Sequence, residues 1–293
     1  MESGVELPAP AAEQAACSEQ LAGLVRQEIT AAGGSIPFSR FMEMCLYTPG
    51  LGYYSGGQHK FGAGGDFVTA PEVSSLFGRC LARPCAFALE ASGGGDILEF
   101  GAGSGQLAVD LLGELQELDS LPQRYLILER RAELRQRQQQ TLYGQLPQLA
   151  DRVVWVDTLP EPGFRGVVLA NEVLDAMAVE RFRWNGTAAE QFCVGSGAGG
   201  FEWRMQPVAE ARLATAITQI ARDCNLSGGY VSEINMTLQP WLQGVVDCLD
   251  RALVLLIDYG YPRSEYYHPQ RVDGTLMCHY RHRAHADPLI FPG

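Results

Sequence analysis

The sequence predicts an α/β protein built on a parallel β-sheet that helices cover on both faces. From residue 96 onward, short apolar runs alternate with helix-like segments. The runs are continuously apolar, as expected of strands buried on both faces. The first run leads directly into three alternate glycines, at 101, 103 and 105. This places a glycine turn at the carboxyl end of a strand, where open α/β sheets bind their ligands.

Composition excludes several classes of protein. The 293 residues are 46% hydrophobic, enough for a substantial core, and the formal net charge of -12 argues against nucleic-acid binding. No stretch approaches the roughly 20 apolar residues of a membrane span. Eight cysteines show no CxxC spacing. We therefore expect reduced thiols, no metal site and no disulfide framework.

The N-terminal third is predicted to be helical and loop-like. Residues 1–17 are rich in Ala, Pro and Glu, and we expect a disordered leader without targeting features, hence a cytoplasmic location, or the mitochondrial matrix in a eukaryote. Helices are predicted after residue 18 and over 37–47. Residues 48–78 are dense in glycine and aromatics and predict a long loop packed over a site, the alternative being a disordered insertion.

The remaining chain is predicted to form the core and an insertion. Residues 179–206 have the turns and alternation of an antiparallel meander, and helices are expected on either side of a strand or loop at 229–235. The predicted segments are an N-terminal helical and lid segment at 18–95, a core at 96–178, inserted strands and helices at 179–250, and a fifth core strand with a C-terminal loop at 251–293. The five predicted core strands are 96–100, 125–129, 153–157, 166–171 and 252–258.

The glycine spacing indicates which ligand the turn holds. A dinucleotide fingerprint would place its third glycine at position 106, where this sequence has Gln106. Gly101, Gly103 and Gly105 instead have the spacing of the S-adenosylmethionine turn of class I methyltransferases. A nicotinamide oxidoreductase remains as a rival interpretation, which Gln106 disfavours.

Acidic residues end the first three predicted strands. Glu99 is placed to attract the ammonium group of the methionine moiety, and Glu129 to accept the two ribose hydroxyls. Glu129 lies 24 residues beyond Gly105, close to the separation of about 20 expected for a ribose-binding acid. Asp157 is the candidate contact beside the adenine. The alternative for Glu99 and Glu129 is that both are surface acids at strand ends.

The fourth strand ends in polar residues that we expect to face the transferred methyl group. Asn171 is its last residue, and Glu172 and Asp175 come in the turn that follows. Two carboxylates can accept the planar donors of a guanidinium and offset its charge. For Asp175 alone, capping of a following helix is an equally good alternative.

Beyond the glycine turn, the motifs "FMEMCLYTPGLGYYS", "FGAGGDFVTAPEVSSLFGR", "ILEFGAGSGQLA", "ANEVLDAMAVERF" and "VSEIN" resemble those of the MidA-like S-adenosylmethionine-dependent methyltransferases. The resemblance covers nearly the whole chain from about residue 20. It implies a Rossmann-like class I methyltransferase sheet with S-adenosyl-L-methionine as cofactor. Mitochondrial relatives are complex I assembly factors that methylate an arginine of a subunit, so the implied partner is an arginine-containing protein of respiratory complex I type.

The resemblance also assigns residues outside the core strands. Asp66, Thr69, Pro71 and Glu72 would belong to a lid, with Thr69 and Asn171 among the cofactor-binding residues. Glu233 is a third catalytic candidate beside Glu172 and Asp175.

Only five strands are predicted where a class I methyltransferase has seven, so we expect truncated C-terminal strands and an open question of catalytic competence. The alternative is an assembly factor that binds S-adenosylmethionine without turnover.

Overall fold

The computed structural model describes residues 7–55 and 69–293. Its helices are α1 (Ala12–Ala31), α2 (Phe38–Tyr47), α3 (Ala70–Val73), α4 (Leu76–Ser92), α5 (Gln106–Glu117), α6 (Ala132–Gln145), α7 (Ala211–Asp223), α8 (Leu238–Asp247) and α9 (Arg263–Tyr266). Its strands are β1 (Ser35–Pro37), β2 (Asp96–Phe100), β3 (Tyr125–Leu128), β4 (Val153–Val156), β5 (Phe164–Asn171), β6 (Glu180–Trp184), β7 (Ala189–Gly197), β8 (Gly200–Pro207), β9 (Tyr230–Ile234), β10 (Leu249–Ile257), β11 (Cys278–Tyr280) and β12 (Arg283–His285).

The chain divides into two compact units. Unit 1 comprises the described residues of 1–58 together with 177–238 and 260–293, and unit 2 comprises the described residues of 59–176 together with 239–259. The predicted division differs, because it assigned 179–250 to one insertion and 251–293 to one C-terminal piece. In the structure α8 belongs to unit 2, since its Val245 lies in that unit's core beside residues of β2 and β5.

Unit 2 contains a five-stranded sheet in the order β10, β5, β2, β3, β4. All four pairings are parallel, which confirms the predicted sheet. The central strand β2 is buried along its whole length. In register, Phe100 lies opposite Ala170 and Leu128, and Asn171 lies opposite Ile257. The carboxyl ends of the strands therefore lie along one edge of the sheet.

Helices cover both faces of this sheet, as the continuously apolar strands predict. On one face, α4, α5 and α6 contribute Cys85, Leu111 and Leu142 to a core that includes Ile97 of β2. On the other face, α8 packs Val245 into a core that includes Leu98, the next residue of the same strand. Alternate residues of β2 thus support opposite faces.

Unit 1 is built on an antiparallel sheet. Its strands run in the order β1, β7, β6, β9, with β8 paired to β7. This confirms the meander predicted over 179–206. One core joins α1 and α2 to Val194 of β7, and another joins α7 to Phe182 of β6. No helix in the described part of the chain is long and apolar enough to cross a membrane.

Two N-terminal predictions need correction. The predicted disordered leader is wrong for residues 12–17, which form the start of α1. Alanine and glutamine favour helix there, and Arg281 donates hydrogen bonds to the carbonyl of Ala9 and to the Gln14 side chain. The loop predicted to run to residue 78 ends earlier, because α3 and α4 begin at Ala70 and Leu76.

The close approach of β2 and β5 gives a test of this packing. A Cβ at Gly166, whose φ is +129°, would lie 2.0 Å from the carbonyl oxygen of Asp96. We expect Gly166→Ala to lower the free energy of unfolding by about 3 kcal/mol, from backbone strain and overpacking together. Chemical denaturation measures this change in the free energy of unfolding. Gly163→Ala, at φ +108° with nothing within 4 Å of its Cβ, is the matched control for strain alone and should cost less. Equal effects of the two would contradict the close approach.

Candidate functional site

The glycine turn follows β2 at the carboxyl edge of the unit 2 sheet. Gly101 and Gly105 have φ of +64° and +85°, a conformation that favours glycine. A Cβ at Gly101 would lie 2.8 Å from Cγ2 of Val173, and one at Gly105 would lie 3.2 Å from Cα of Gln138. Backbone conformation and space therefore both require glycine at these positions.

A buried glutamine on α6 is hydrogen-bonded to the backbone of the glycine turn. The Gln138 amide donates a hydrogen bond of 3.2 Å to the carbonyl of Gly103 and accepts one of 2.8 Å from the Trp155 indole. A Cβ built at Gly103 meets nothing within 4 Å. The turn is thus braced on the protein side and open beside Gly103, as a cofactor that lies against the backbone requires.

Glu99, the fourth residue of β2, is a buried carboxylate with a nearby donor. It is 2% exposed, and its Oε2 accepts a hydrogen bond of 2.9 Å from the Tyr125 hydroxyl. Burial raises the pKa of Glu99 to about 7, although the hydrogen bond from Tyr125 lowers it. A cationic ligand would stabilise the ionised form, so Glu99 has the chemistry needed to hold an ammonium group.

Glu129, just after β3, is 5% exposed and already engaged. Oε1 accepts hydrogen bonds of 3.0 Å from the backbone amide and from Nε of Arg131, and Nη2 of the same arginine lies 3.3 Å from Oε2. The Arg131 guanidinium is thus paired with the carboxylate that we predicted to bind the ribose hydroxyls. The sequence showed an arginine here, but it gave no sign of this pairing.

Asp157, the predicted adenine contact, follows β4 and is largely exposed. Its Oδ1 lies 2.7 Å from Nη2 of Arg135, an ion pair on the protein surface. Its role beside the adenine stays a prediction.

The turn after β5 carries the predicted acceptor residues. The backbone amide of Glu172 donates a hydrogen bond of 2.8 Å to the carbonyl of Ile257, which fixes the turn to the end of β10. Glu172 has φ of +51°, unusual for a residue with a side chain. Burial and the Asp175 carboxylate raise the pKa of Glu172, whereas the Ala70 backbone and the Asn171 side chain lower it by hydrogen bonding.

Asp175 lies on the same turn, and the alternative that it caps a helix is wrong, because the chain runs from this turn into β6. Desolvation and the Asp258 carboxylate raise the pKa of Asp175 to about 6, although solvent reaches this exposed residue and screens both effects. The structure therefore brings Glu172, Asp175 and Asp258 together, and Asp258 is not among the site residues predicted from the sequence. Its position directly after the apolar run of β10 was the signal that could have revealed it.

The segment predicted as a lid is described only from Thr69, and Asp66 lies outside the described residues. Thr69 immediately precedes α3. The Glu72 carboxylate of this helix accepts a hydrogen bond from the Ser104 hydroxyl in the glycine turn. Together with the hydrogen bond between the Ala70 backbone and Glu172, this contact places α3 against both the glycine turn and the Glu172 turn.

Glu233, the third catalytic candidate, lies in unit 1 with internal partners. It is 2% exposed in β9, and its Oε1 lies 3.6 Å from Nε of Arg181 on the neighbouring strand. Oε2 accepts hydrogen bonds from the backbone amide and hydroxyl of Thr275. The Arg181 guanidinium in turn stacks on the rings of Phe192 and Trp203. These contacts show that Glu233 is part of the internal structure of unit 1, and its catalytic role stays a prediction.

Comparison with known proteins identifies the family. A family described as "Putative S-adenosyl-L-methionine-dependent methyltransferase" matches residues 80–293, well over half of the chain. The chain belongs to this family. The match includes the glycine turn, the buried acids and the Glu172 turn.

Relatives of the chain agree with this family. A Burkholderia thailandensis protein, solved with S-adenosyl-homocysteine bound, is 48% identical over 98% of this chain and 74% of its own, with a TM-score of 0.92. Two curated relatives are named mitochondrial protein arginine methyltransferase NDUFAF7 or its homologue. The Danio rerio protein is 30% identical over 52% of this chain, and the Caenorhabditis elegans protein is 25% identical over 89%. The chain spans 41% and 65% of the lengths of these two relatives.

These comparisons confirm the predicted fold class and the cofactor, S-adenosyl-L-methionine, for the family of this chain. They do not support the predicted cytoplasmic location, because the curated relatives are named as mitochondrial proteins.

The raised pKa of Glu99 predicts a pH-dependent stability. Above about pH 7 the buried carboxylate is ionised and destabilises the fold, and this penalty disappears as the pH falls toward the ordinary pKa of 4.5. We expect Glu99→Gln to raise the free energy of unfolding by about 3 kcal/mol at pH 8 and to change it little near pH 4.5. Denaturant titrations without cofactor measure both values. The exposed Glu161→Gln is the control, and an equal stability of Glu99→Gln and the parent at pH 8 would contradict the buried charge.

The pairing of Arg131 with Glu129 predicts competition with the cofactor. In Arg131→Ala the Glu129 carboxylate is free of the guanidinium, and we expect affinity for S-adenosylmethionine to rise about threefold, since such pairs contribute about 0.5–1 kcal/mol. Calorimetric titration with S-adenosylmethionine measures this affinity. Arg130→Ala removes the same charge from the neighbouring exposed residue and should leave the affinity unchanged. A weaker affinity in Arg131→Ala would show that the arginine itself contacts the cofactor.

Proposed function

We propose that this chain transfers a methyl group from S-adenosylmethionine to a guanidinium nitrogen of a protein arginine. One observation carries the proposal: two carboxylates, Glu172 and Asp175, share a turn at the carboxyl edge of the sheet that holds the glycine turn. Gly101 comes so close to Val173 of this turn that a Cβ would clash. A cofactor on the first turn and a cationic acceptor at the second would therefore be neighbours.

The cofactor proposal assigns a role to each residue at the edge. Glu99 would hold the ammonium of the methionine moiety, and Glu129 the ribose hydroxyls once Arg131 releases it. The backbone at Gly101, Gly103 and Gly105 would lie against the cofactor, with Thr69, Asn171 and Asp157 as further contacts. When bound, S-adenosylmethionine supplies a methyl group that its sulfonium has already activated for displacement. The protein's task is then mainly alignment and placement of charge.

The acceptor proposal rests on charge and geometry. A guanidinium enters as a cation, because its pKa lies above about 12. Glu172 and Asp175 would offset that charge and orient one nitrogen toward the cofactor through charge-assisted hydrogen bonds. Their raised pKa values also suit them to accept the proton that the nitrogen loses on methylation.

The names of the curated relatives support arginine as the acceptor, since they are called protein arginine methyltransferases. A subunit of respiratory complex I type is the first candidate substrate, as the sequence resemblance implies. Negative charge at the Glu172 turn fits a basic segment of such a protein.

The experiment is peptide mass spectrometry of candidate complex I-type subunits incubated with S-adenosylmethionine, with and without the protein. We expect methylarginine only in the samples that contain the protein. Cofactor binding without any methylarginine would overturn the proposal and favour an assembly factor without turnover.

Glu172→Gln tests the acceptor role directly. The amide keeps the shape of the side chain and loses its charge, so we expect methylarginine formation to fall about 100-fold, the equivalent of about 3 kcal/mol. Affinity for S-adenosylmethionine should stay within about twofold of the parent. Glu161→Gln, an exposed acid in the same unit, is the matched control and should retain full activity. Unimpaired methylation by Glu172→Gln would remove this residue from the mechanism.

A further inference from the structure

Asp258 is a carboxylate that lies one residue beyond β10 and uses both oxygens on backbone amides. Oδ2 accepts hydrogen bonds of 2.8 Å from the amide of Leu174 and 3.2 Å from the amide of Asp175. Oδ1 accepts one of 2.8 Å from the amide of Tyr259. One side chain thus links the end of β10 to the turn after β5.

That link bears on a strained stretch of backbone. Glu172 has φ of +51°, which for a residue with a side chain costs about 1–2 kcal/mol and persists only where neighbouring contacts hold it. Its own amide is bonded to the carbonyl of Ile257, the residue before Asp258. Two anchors from the end of β10 therefore fix the turn, the Ile257 carbonyl at its start and the Asp258 carboxylate two residues later.

We propose that Asp258 is the positioning residue that holds Glu172 and Asp175 in place for a cationic acceptor. This inference rests on the proposed function. The amides of Leu174 and Asp175 are tied to one oxygen, so the side chain of Asp175 is presented from a turn of fixed conformation. Tyr259, whose amide donates to Asp258, is the most exposed large hydrophobic residue among those described.

The charge of Asp258 has a second effect on the same cluster. It raises the pKa of Asp175 and of Glu172 and, together with them, the pKa of Tyr259. Glu172, Asp258 and Tyr259 are the titratable groups coupled to Asp175 within the part of the chain that the structure describes, and no cation in that part shifts the pKa of Asp175. A cationic acceptor would find concentrated negative charge, and its own charge would relieve the mutual repulsion of the carboxylates.

Hydrogen exchange tests the anchoring without any acceptor. In Asp258→Ala the amides of Leu174 and Asp175 lose their acceptor, and we expect both to exchange at least about tenfold faster by NMR, while β2 and β3 are unchanged. Asp258→Asn keeps one oxygen that can accept these amides and should restore part of their protection. Asp250→Asn, an exposed acid at the opposite end of the same strand, is the matched control. Unchanged exchange of both amides in Asp258→Ala would overturn the inference.

A pH profile separates positioning from general stability. Acceptor binding requires ionised Asp175, so methylarginine formation should fall as the pH drops through its pKa. Asp258→Asn lowers that pKa, and we expect the acidic limb of kcat/KM to move to lower pH, with affinity for S-adenosylmethionine unchanged. Carbon-13 titration of the Asp175 carboxyl group should show the same shift. An unmoved carboxyl titration contradicts the electrostatic role.

The two proposals fail in distinguishable ways. If the parent protein forms no methylarginine, the proposed function fails, while hydrogen exchange and carboxyl titration still decide the role of Asp258. If Glu172→Gln abolishes methylation and both Asp258 variants retain the parental rate and pH profile, only the role of Asp258 fails.

Discussion

Parallel pairing of β2 with β5 is the constraint on which the rest of unit 2 depends. It places the ends of the two central strands side by side, so the turn that carries the glycines and the turn that carries Glu172 approach within a side chain's width. The strands on either side of this pair extend the same edge, with Glu129 after β3 and Asp258 after β10. Strand order thus sets the order of the candidate contacts along the edge, with the proposed ribose contact on one side and the acceptor contact on the other.

The chemistry of this edge is dominated by carboxylates with incomplete compensation. Arg131 neutralises Glu129, whereas Glu99 accepts a hydrogen bond from an uncharged tyrosine hydroxyl, and burial and neighbouring carboxylates raise the pKa values of Glu172 and Asp175. An isolated fold gains nothing from such an arrangement, since buried or crowded charges are unfavourable. It becomes favourable when cations are bound, and both the cofactor of this family and the proposed acceptor are cationic.

The parts of the fold that sequence predicts well are those with strong local signals. The five parallel strands were predicted from continuous apolar runs. The turn was predicted from its alternate glycines, which its left-handed backbone conformation favours. The bounds of α4 were not predicted within the N-terminal helical and lid segment; Gly78 and Pro84 weaken its helical pattern, whereas in the structure Gly78 lies against Asp110 and the helix continues through the proline. Side-chain pairing was also beyond prediction: the capture of Glu129 by Arg131 and the burial of Glu233 against Arg181 depend on distances that spacing along the chain does not encode.

The left-handed backbone of Glu172 has a consequence for the way this protein can change. At that position glycine or asparagine would relieve strain, so random mutagenesis followed by selection for heat resistance alone should enrich them. Any such gain would remove the carboxylate from the turn. At position 172, selection for thermal stability and selection for the carboxylate therefore favour different residues. Retention of glutamate there would mark a lineage that is still selected for the function of the turn.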